Sequence, residues 1–182
     1  TVVPEKVIAT DGVDMLCIGE GEDALLEVVQ KLEAGQEPLD IKSIWCKQHD
    51  GSVQKNKLRC QARPMDDLPE PNWDIVDPRH RVRPFEGELK SVAFFELSRG
   101  CPYDCSYCIN ATLHKIQAEN DVRKGGTYRY HTSAEIVRRL KKYKDLYGFN
   151  HLQFIDENMP TMPIDKLKEL AELYKRDVGV PF

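Results

Sequence analysis

The chain has 182 residues, 26 of them basic and 30 acidic, for a net charge of −4 that gives no whole-chain push toward nucleic acid or an anionic membrane. Hydrophobic residues make up 41% and charged residues 31%, an ordinary balance for one or two globular domains with a core of their own. No apolar run approaches the roughly 20 residues of a membrane helix. The start, Thr1-Val-Val-Pro-Glu-Lys, lacks the charged and apolar regions of a secretion signal and an initiator Met, so it reads as opening inside a longer protein.

In chain order, the apolar run 13–18 predicts a short buried strand. It passes through Gly19-Glu-Gly-Glu22 into a helix over about 23–34. That helix has acidic residues in its first turn, recurring Leu25, Leu26, Val28, Val29 and Leu32, and Gly35 as a stop. Strand, glycine turn and helix form one unit of an α/β domain, whose sheet partners are expected upstream. Residues 41–46 and 52–55 bracket His49-Asp50-Gly51 as a hairpin. Prolines 64, 69, 71, 78 and 84 then bar a regular helix or central strand, predicting a linker laid over a domain surface and anchored by Trp73.

From Ser91 the rhythm is β then α. Residues 91–97 form a strong strand, Ser133 is the expected N-cap of a helix to Tyr147 stopped by Gly148, and 151–155 form a second strand. A helix over 164–176 turns Leu167, Leu170, Ala171 and Tyr174 inward, and 180–182 begin a third strand. A complete eight-stranded barrel takes about 250 residues. At about 30 residues per βα unit, roughly three strands fit between Val92 and Phe182. The chain is therefore expected to be a segment of a larger enzyme.

Six cysteines are too few for a disulfide scaffold, and three of them lie between Cys101 and Cys108. Cys17 sits in an apolar run and reads as a structural thiol; Cys46 and Cys60 receive no function. The stretch Ser98-Arg-Gly-Cys101-Pro-Tyr-Asp-Cys105-Ser-Tyr-Cys108 follows a strand directly. Three thiolates on one loop can serve three irons of a cubane and leave the fourth without a protein ligand. An open coordination position marks a reactive centre rather than a closed structural one. A structural zinc site from the three cysteines and His114 is the competing reading, and a disulfide would leave an odd thiol.

This C-x3-C-x-aromatic-C pattern resembles the signature of the radical S-adenosylmethionine (radical SAM) superfamily. The resemblance implies that Cys101, Cys105 and Cys108 hold a [4Fe–4S] cluster, that its open iron chelates S-adenosylmethionine, and that Tyr107 lines the adenine side. It implies reductive cleavage of S-adenosylmethionine to a 5′-deoxyadenosyl radical. It also places polar groups facing the methionine end or the ribose at the second strand's end, where Asp156, Glu157 and Asn158 stand. The family's glycine-glycine-glutamate pattern is absent, and an acidic turn is the plain alternative. Arg129 is a carboxylate contact or an exposed loop residue. The run from Arg138 to Lys144 reads as a solvated helix face. Gly125-Gly126 is too thin for a phosphate cradle.

Further features resemble the cobalamin-dependent branch: Asp14 to Glu22 with its helix, Asp67-Leu-Pro-Glu-Pro-Asn-Trp-Asp, Cys105-Ser-Tyr-Cys-Ile-Asn, and Phe154-Ile-Asp-Glu-Asn. The implied architecture is α/β. Residues 1–36 end a Rossmann-like cobalamin-binding domain, 37–88 are hairpin and proline-rich linker, and 89–182 open a partial radical SAM (β/α) barrel. The implied cofactors are a [4Fe–4S] cluster, S-adenosylmethionine and cobalamin, the last held mostly by residues upstream. Methyl transfer leads among activities; oxidative cyclisation and methylthio transfer are the alternatives. The expected partners are a small-molecule substrate and an electron donor such as a flavodoxin or ferredoxin. The expected location is cytoplasmic.

Overall fold

The computed structural model describes residues 2–60, 63–120 and 128–182; Gly125 and Gly126 lie outside them. The architecture is mixed α/β, in two compact units. One comprises Thr1–Ala62 with Tyr103–Thr127, the other Arg63–Pro102 with Tyr128–Phe182. No helix among the described residues is long and apolar enough to cross a membrane.

The first unit opens with a short helix α1 (Pro4–Ile8), then β1 (Met15–Cys17) and α2 (Glu22–Glu33). Proline at the start of α1 suits a position whose N–H needs no partner. Helix α2 ends where Gly35 takes φ +68°, as its glycine signalled. Among the described residues, β1 finds its partner in the hairpin that follows. It pairs antiparallel with β2 (Ile44–Lys47), which pairs antiparallel with β3 (Val53–Lys55), Trp45 opposite Lys55 and Cys46 opposite Gln54. β1 is thereby an edge of this three-stranded meander, with β2 in its middle. Asn56 locks the meander by donating to the carbonyls of Leu39 and Ile44, both at 2.8 Å.

Helix α2 buries Ala24 and Val28 against Ile41, Ile44 and Cys46. Its longer apolar residues turn the other way, with Leu25 63% and Leu26 56% exposed. The periodicity marked a helix correctly but carried two apolar stripes, of which the small-residue one meets the sheet. The remaining element, α3 (Ile109–Glu119), has no counterpart in the sequence expectations. The Asn120 side chain accepts from the Leu58 amide at 3.2 Å and donates to the Ile116 carbonyl at 2.8 Å.

In the second unit the proline-rich stretch forms 3₁₀ turns over Met65–Asp67, Trp73–Ile75 and Pro78–Arg81. Trp73 anchors it edge-on to Phe149, ring centroids 5.5 Å apart, and Met65 is fully buried. Strands β4 (Val82–Phe85) and β5 (Glu88–Phe95) then form a hairpin around Glu86 and Gly87, both at positive φ, as in a type I′ turn. Pro84 is tolerated because β4 pairs on one side, as an edge strand.

A two-residue strand β6 (Ser98–Arg99) pairs with β7 (Arg129–Tyr130). Next comes α4 (Ser133–Tyr147), capped by the Thr132 hydroxyl, which accepts from the Glu135 amide at 3.3 Å. Ser133, the expected cap, instead turns to α5, reaching the Glu169 carboxylate at 3.0 Å. Strand β8 (His151–Phe154) lies parallel to β5, Val92 opposite His151 and Phe95 opposite Phe154. This is the expected βα unit, two strands joined through a helix.

Helix α5 (Ile164–Asp177) buries Leu170 and Tyr174, with Leu167 and Leu173 packed partly against the core. Ala171 is exposed, so the apolar stripe is narrower than expected. The segment after α5 forms no strand among the described residues, although the Leu152 amide donates to Pro181 at 2.9 Å beside β8. The core is closed by Leu97, Ile136 and Leu140, each worth about 1.5–3 kcal/mol of burial. The basic run of α4 is not a plain solvated face. Arg139 is 4% exposed and donates to the carbonyls of Asp66 and Leu68, while Arg138 and Lys142 both pair with Glu70.

Candidate metal centre

The end of β5 and its continuation carry the first cysteine. Leu97 and Ser98 are 0% and 1% exposed, too deep for their amides to reach water. Asp156, just past β8, satisfies them: its carboxylate accepts from the Leu97 amide at 3.1 Å, the Ser98 amide at 2.5 Å and the Ser98 hydroxyl at 2.6 Å. Buried donors left without acceptors would each cost about 1–3 kcal/mol. Gly100 then takes φ +83°, a left-handed conformation suited to glycine, and turns the chain into Cys101, which is buried.

Asn158 meets that cysteine. Its side-chain amide donates to the Cys101 sulfur at 3.8 Å. Its own backbone is held because its carbonyl accepts from the Thr161 hydroxyl at 2.8 Å and the Thr161 amide at 3.2 Å. Glu157 between them is exposed. Of the three polar residues expected at this strand end, Asp156 is thus engaged with backbone and Asn158 with sulfur.

Cys105 and Cys108 belong to the first unit. Cys105 is exposed and its carbonyl accepts from the Cys108 amide at 3.0 Å. Cys108 is half-buried and stands at the N-cap of α3, where helix amides lack helical partners and anionic ligands are favoured. Tyr107 is 92% exposed. His114 is buried, and its Nδ1 pairs with the Asp104 carboxylate. Arg129 donates to the backbone carbonyl of Arg63. The sequence named Ser98 only within the Ser-Arg-Gly before Cys101, and gave Asp104 no role; the signal available was their place in the cysteine motif.

Among the described residues no group of three His, Cys, Asp or Glu side chains is gathered to hold a metal ion. The donor set itself fits an iron–sulfur cluster: three thiols on one short stretch, none in a disulfide, one with an amide donor on its sulfur. Cys17 and Cys46 do not compete. Burial raises the pKa of Cys17 and Cys46, whose thiols donate to the carbonyls of Glu20 and Pro38. An apolar cavity of about 600 Å³ lies in the second unit, lined by Leu97, Phe154, Met159, Tyr174 and Phe182 among others. Lys175 is its one charged lining residue, so it suits an apolar group better than a charged one.

No protein-family model matches the chain. A curated relative, the anaerobic magnesium-protoporphyrin IX monomethyl ester cyclase of Rubrivivax gelatinosus, is 26% identical over 181 residues. That match takes in 97% of this chain and 30% of the relative. Among solved structures, OxsB, a cobalamin-dependent S-adenosylmethionine radical enzyme with aqua-cobalamin and S-adenosylmethionine bound, matches at TM-score 0.65 and 17% identity. The match covers 96% of this chain and 23% of OxsB. The radical S-adenosylmethionine methyltransferase TsrM of Kitasatospora setae, with cobalamin and a [4Fe–4S] cluster bound, matches at TM-score 0.59 and 16% identity, covering 97% of this chain and 33% of that one.

These structural relatives are cobalamin-dependent radical SAM enzymes. They fall in the branch that the cysteine motif and its flanks resemble, and the likeness in fold extends over nearly the whole chain. The chain spans about a third of the curated relative's length.

Proposed function

We propose that this chain carries the cluster-binding part of a radical SAM enzyme, with Cys101, Cys105 and Cys108 as the three thiolate ligands of a [4Fe–4S] cluster. The observation that carries the reading is the junction of β5 and β8. There a C-x3-C-x2-C stretch leaves the end of a strand, with its first sulfur buried and contacted by Asn158. Ends of parallel strands are where α/β folds gather their chemistry. When bound, the cluster supplies an electron for reductive cleavage of S-adenosylmethionine, the source of radical chemistry on a substrate.

The chain's own residues prepare that site. Asp156 ties the carboxyl ends of β5 and β8 together, so the approach to Cys101 is held in place before any ligand arrives. Gly100 makes the turn, and Cys108 puts its thiol at the amino end of α3. Tyr107 is free of packing duties and available for the adenine face of S-adenosylmethionine. Glu157, also exposed, is the residue of this strand end assigned to the methionine or ribose portion.

Methyl transfer to a small-molecule substrate, with cobalamin as methyl carrier, is the activity we favour, in line with TsrM. Oxidative cyclisation is the second reading, supported by the cyclase relative. Residues 1–36 are assigned to the end of a cobalamin-type domain, 37–88 to hairpin and linker, and 89–182 to the start of the radical SAM barrel. A flavodoxin or ferredoxin would supply electrons, and the setting is cytoplasmic. The test is iron and sulfide per chain after anaerobic reconstitution, for wild type and Cys105→Ala. About four irons, lost in the variant, is the expected result; zinc without iron in a folded chain would replace this reading with a structural module.

A further inference from the structure

We infer that Asn158 sets the reduction potential of the cluster through its N–H···S hydrogen bond to Cys101, rather than by binding S-adenosylmethionine. The inference rests on the reading of Cys101 as a cluster ligand. Its basis is geometric: the amide nitrogen of Asn158 lies 3.8 Å from the Cys101 sulfur, the range of a hydrogen bond to sulfur. Asn158 is half-buried and Cys101 buried, so water competes weakly for either group.

The contact is preorganised from both sides. Thr161 holds the Asn158 carbonyl, and the turn that follows, Met159–Thr161, is pinned by the buried Met162. On the cysteine side, Asp156 clamps Leu97 and Ser98, just before Gly100 and Cys101. Asp156 and Asn158 therefore fasten the same two chain segments twice, once through backbone amides and once through sulfur. Asn158 contacts the Cys101 sulfur, and Glu157 beside it is exposed.

The chemistry follows from charge. One electron from a low-potential donor takes the cluster from its 2+ to its 1+ state; no bond forms or breaks and no proton moves. The added negative charge spreads over irons, sulfides and thiolates. A donor aimed at a ligand sulfur is worth more to the reduced state, and hydrogen bonds to the sulfurs are among the levers that set iron–sulfur potentials. Asn158 thus makes reduction easier, which matters where reductive cleavage must be driven by a cellular donor. It is a positioning and tuning residue, acting through Cys101.

The experiment is an EPR-monitored redox titration of the reconstituted protein, with iron content measured in parallel, for wild type, Asn158→Leu, Asn158→Asp and Asn158→Gln. Asn158→Leu removes the donor at similar size, and Asn158→Asp removes it and adds charge. Both are expected to keep the cluster while the reduction equilibrium falls about tenfold, about 59 mV more negative for one electron. Asn158→Gln keeps an amide donor and is expected to recover part of the shift. Wild-type potentials in both the Leu and Asp variants, with iron retained, would overturn the inference and leave the cluster assignment standing. Loss of iron from both variants in a folded chain would make Asn158 an assembly residue and also overturn it. Absence of iron from the wild type would bring down the cluster assignment and the inference together.

Discussion

Asp156 accepts two hydrogen bonds from Ser98, from the amide at 2.5 Å and the hydroxyl at 2.6 Å, and by them joins the end of β8 to the chain that leads into Cys101. Standing at a strand end where the resemblance places ligand-facing groups, Asp156 is an acceptor for buried backbone amides.

That relationship predicts the cost of removing it. Asp156→Ala leaves the Leu97 and Ser98 amides without acceptors in a buried place, for a loss of about 2–4 kcal/mol. Asp156→Asn retains one acceptor oxygen and should lose less. Urea unfolding followed by far-UV circular dichroism reads both, and an unchanged midpoint for Asp156→Ala would refute the clamp.

Gly100 holds φ +83° immediately before Cys101. Gly100→Ala places a side chain in the left-handed region at a cost of about 1–2 kcal/mol. The expected outcome is a lower melting temperature and weaker iron retention on desalting. A variant as stable as wild type would show that the turn relaxes to negative φ without harm.

Acid should destabilise the second unit in two stages. His131 is held below its ordinary 6.5, burial outweighing the neighbouring Asp66; Arg139 opposes its charging as well, and Glu135 favours it. The unfolded chain therefore binds the proton more readily, and stability declines as pH falls below about 6.5. At Asp66 burial opposes ionisation, yet hydrogen bonds from Thr132 and His131 keep the carboxyl below its usual range. Glu135 is held at about 2, chiefly by its hydrogen bond from Arg138, with Arg139 adding to it against burial. For both carboxyls the stabilisation is complete above the ordinary carboxylate range and is lost as pH falls through the depressed values. Melting temperatures from pH 7.5 to 2 should fall gently and then steeply. His131→Asn should flatten the upper limb and Glu135→Gln the lower, and a flat wild-type profile between pH 7.5 and 5 would contradict the assignment of His131.

Tyr107 is 92% exposed, so Tyr107→Ala should leave stability within about 0.5 kcal/mol of wild type. If it lines the adenine of S-adenosylmethionine, the same change should weaken binding of that cofactor to the reconstituted protein about tenfold, about 1.4 kcal/mol. Equilibrium dialysis distinguishes the cases: unchanged affinity would remove Tyr107 from the cofactor site.

Much of this protein was legible in its residues because the signals are local. The C-x3-C-x2-C spacing, the 3.6-residue rhythm of α4 and α5, the stops at Gly35 and Gly148 and the Asp50-Gly51 turn each depend on a few neighbours in the chain, and all reappear in the structure. The proline-rich stretch announced irregular backbone and Trp73 its anchor. What depended on distant partners was not legible. Periodicity could not say which stripe of α2 would meet the sheet, nor that β1 would pair antiparallel with the hairpin that follows it. Composition made the basic run of α4 look solvated, whereas Glu70 and two carbonyls of the distant linker engage it. The division of labour between Asp156 and Asn158, one holding backbone and the other contacting sulfur, arises because parallel pairing of β5 with β8 brings residues nearly sixty apart to one strand end. Sequence by itself determined the cysteine spacing and most local elements, α3 excepted; tertiary pairing decided what each polar residue at that strand end touches, since a hydrogen bond is fixed by where its partner lies in space.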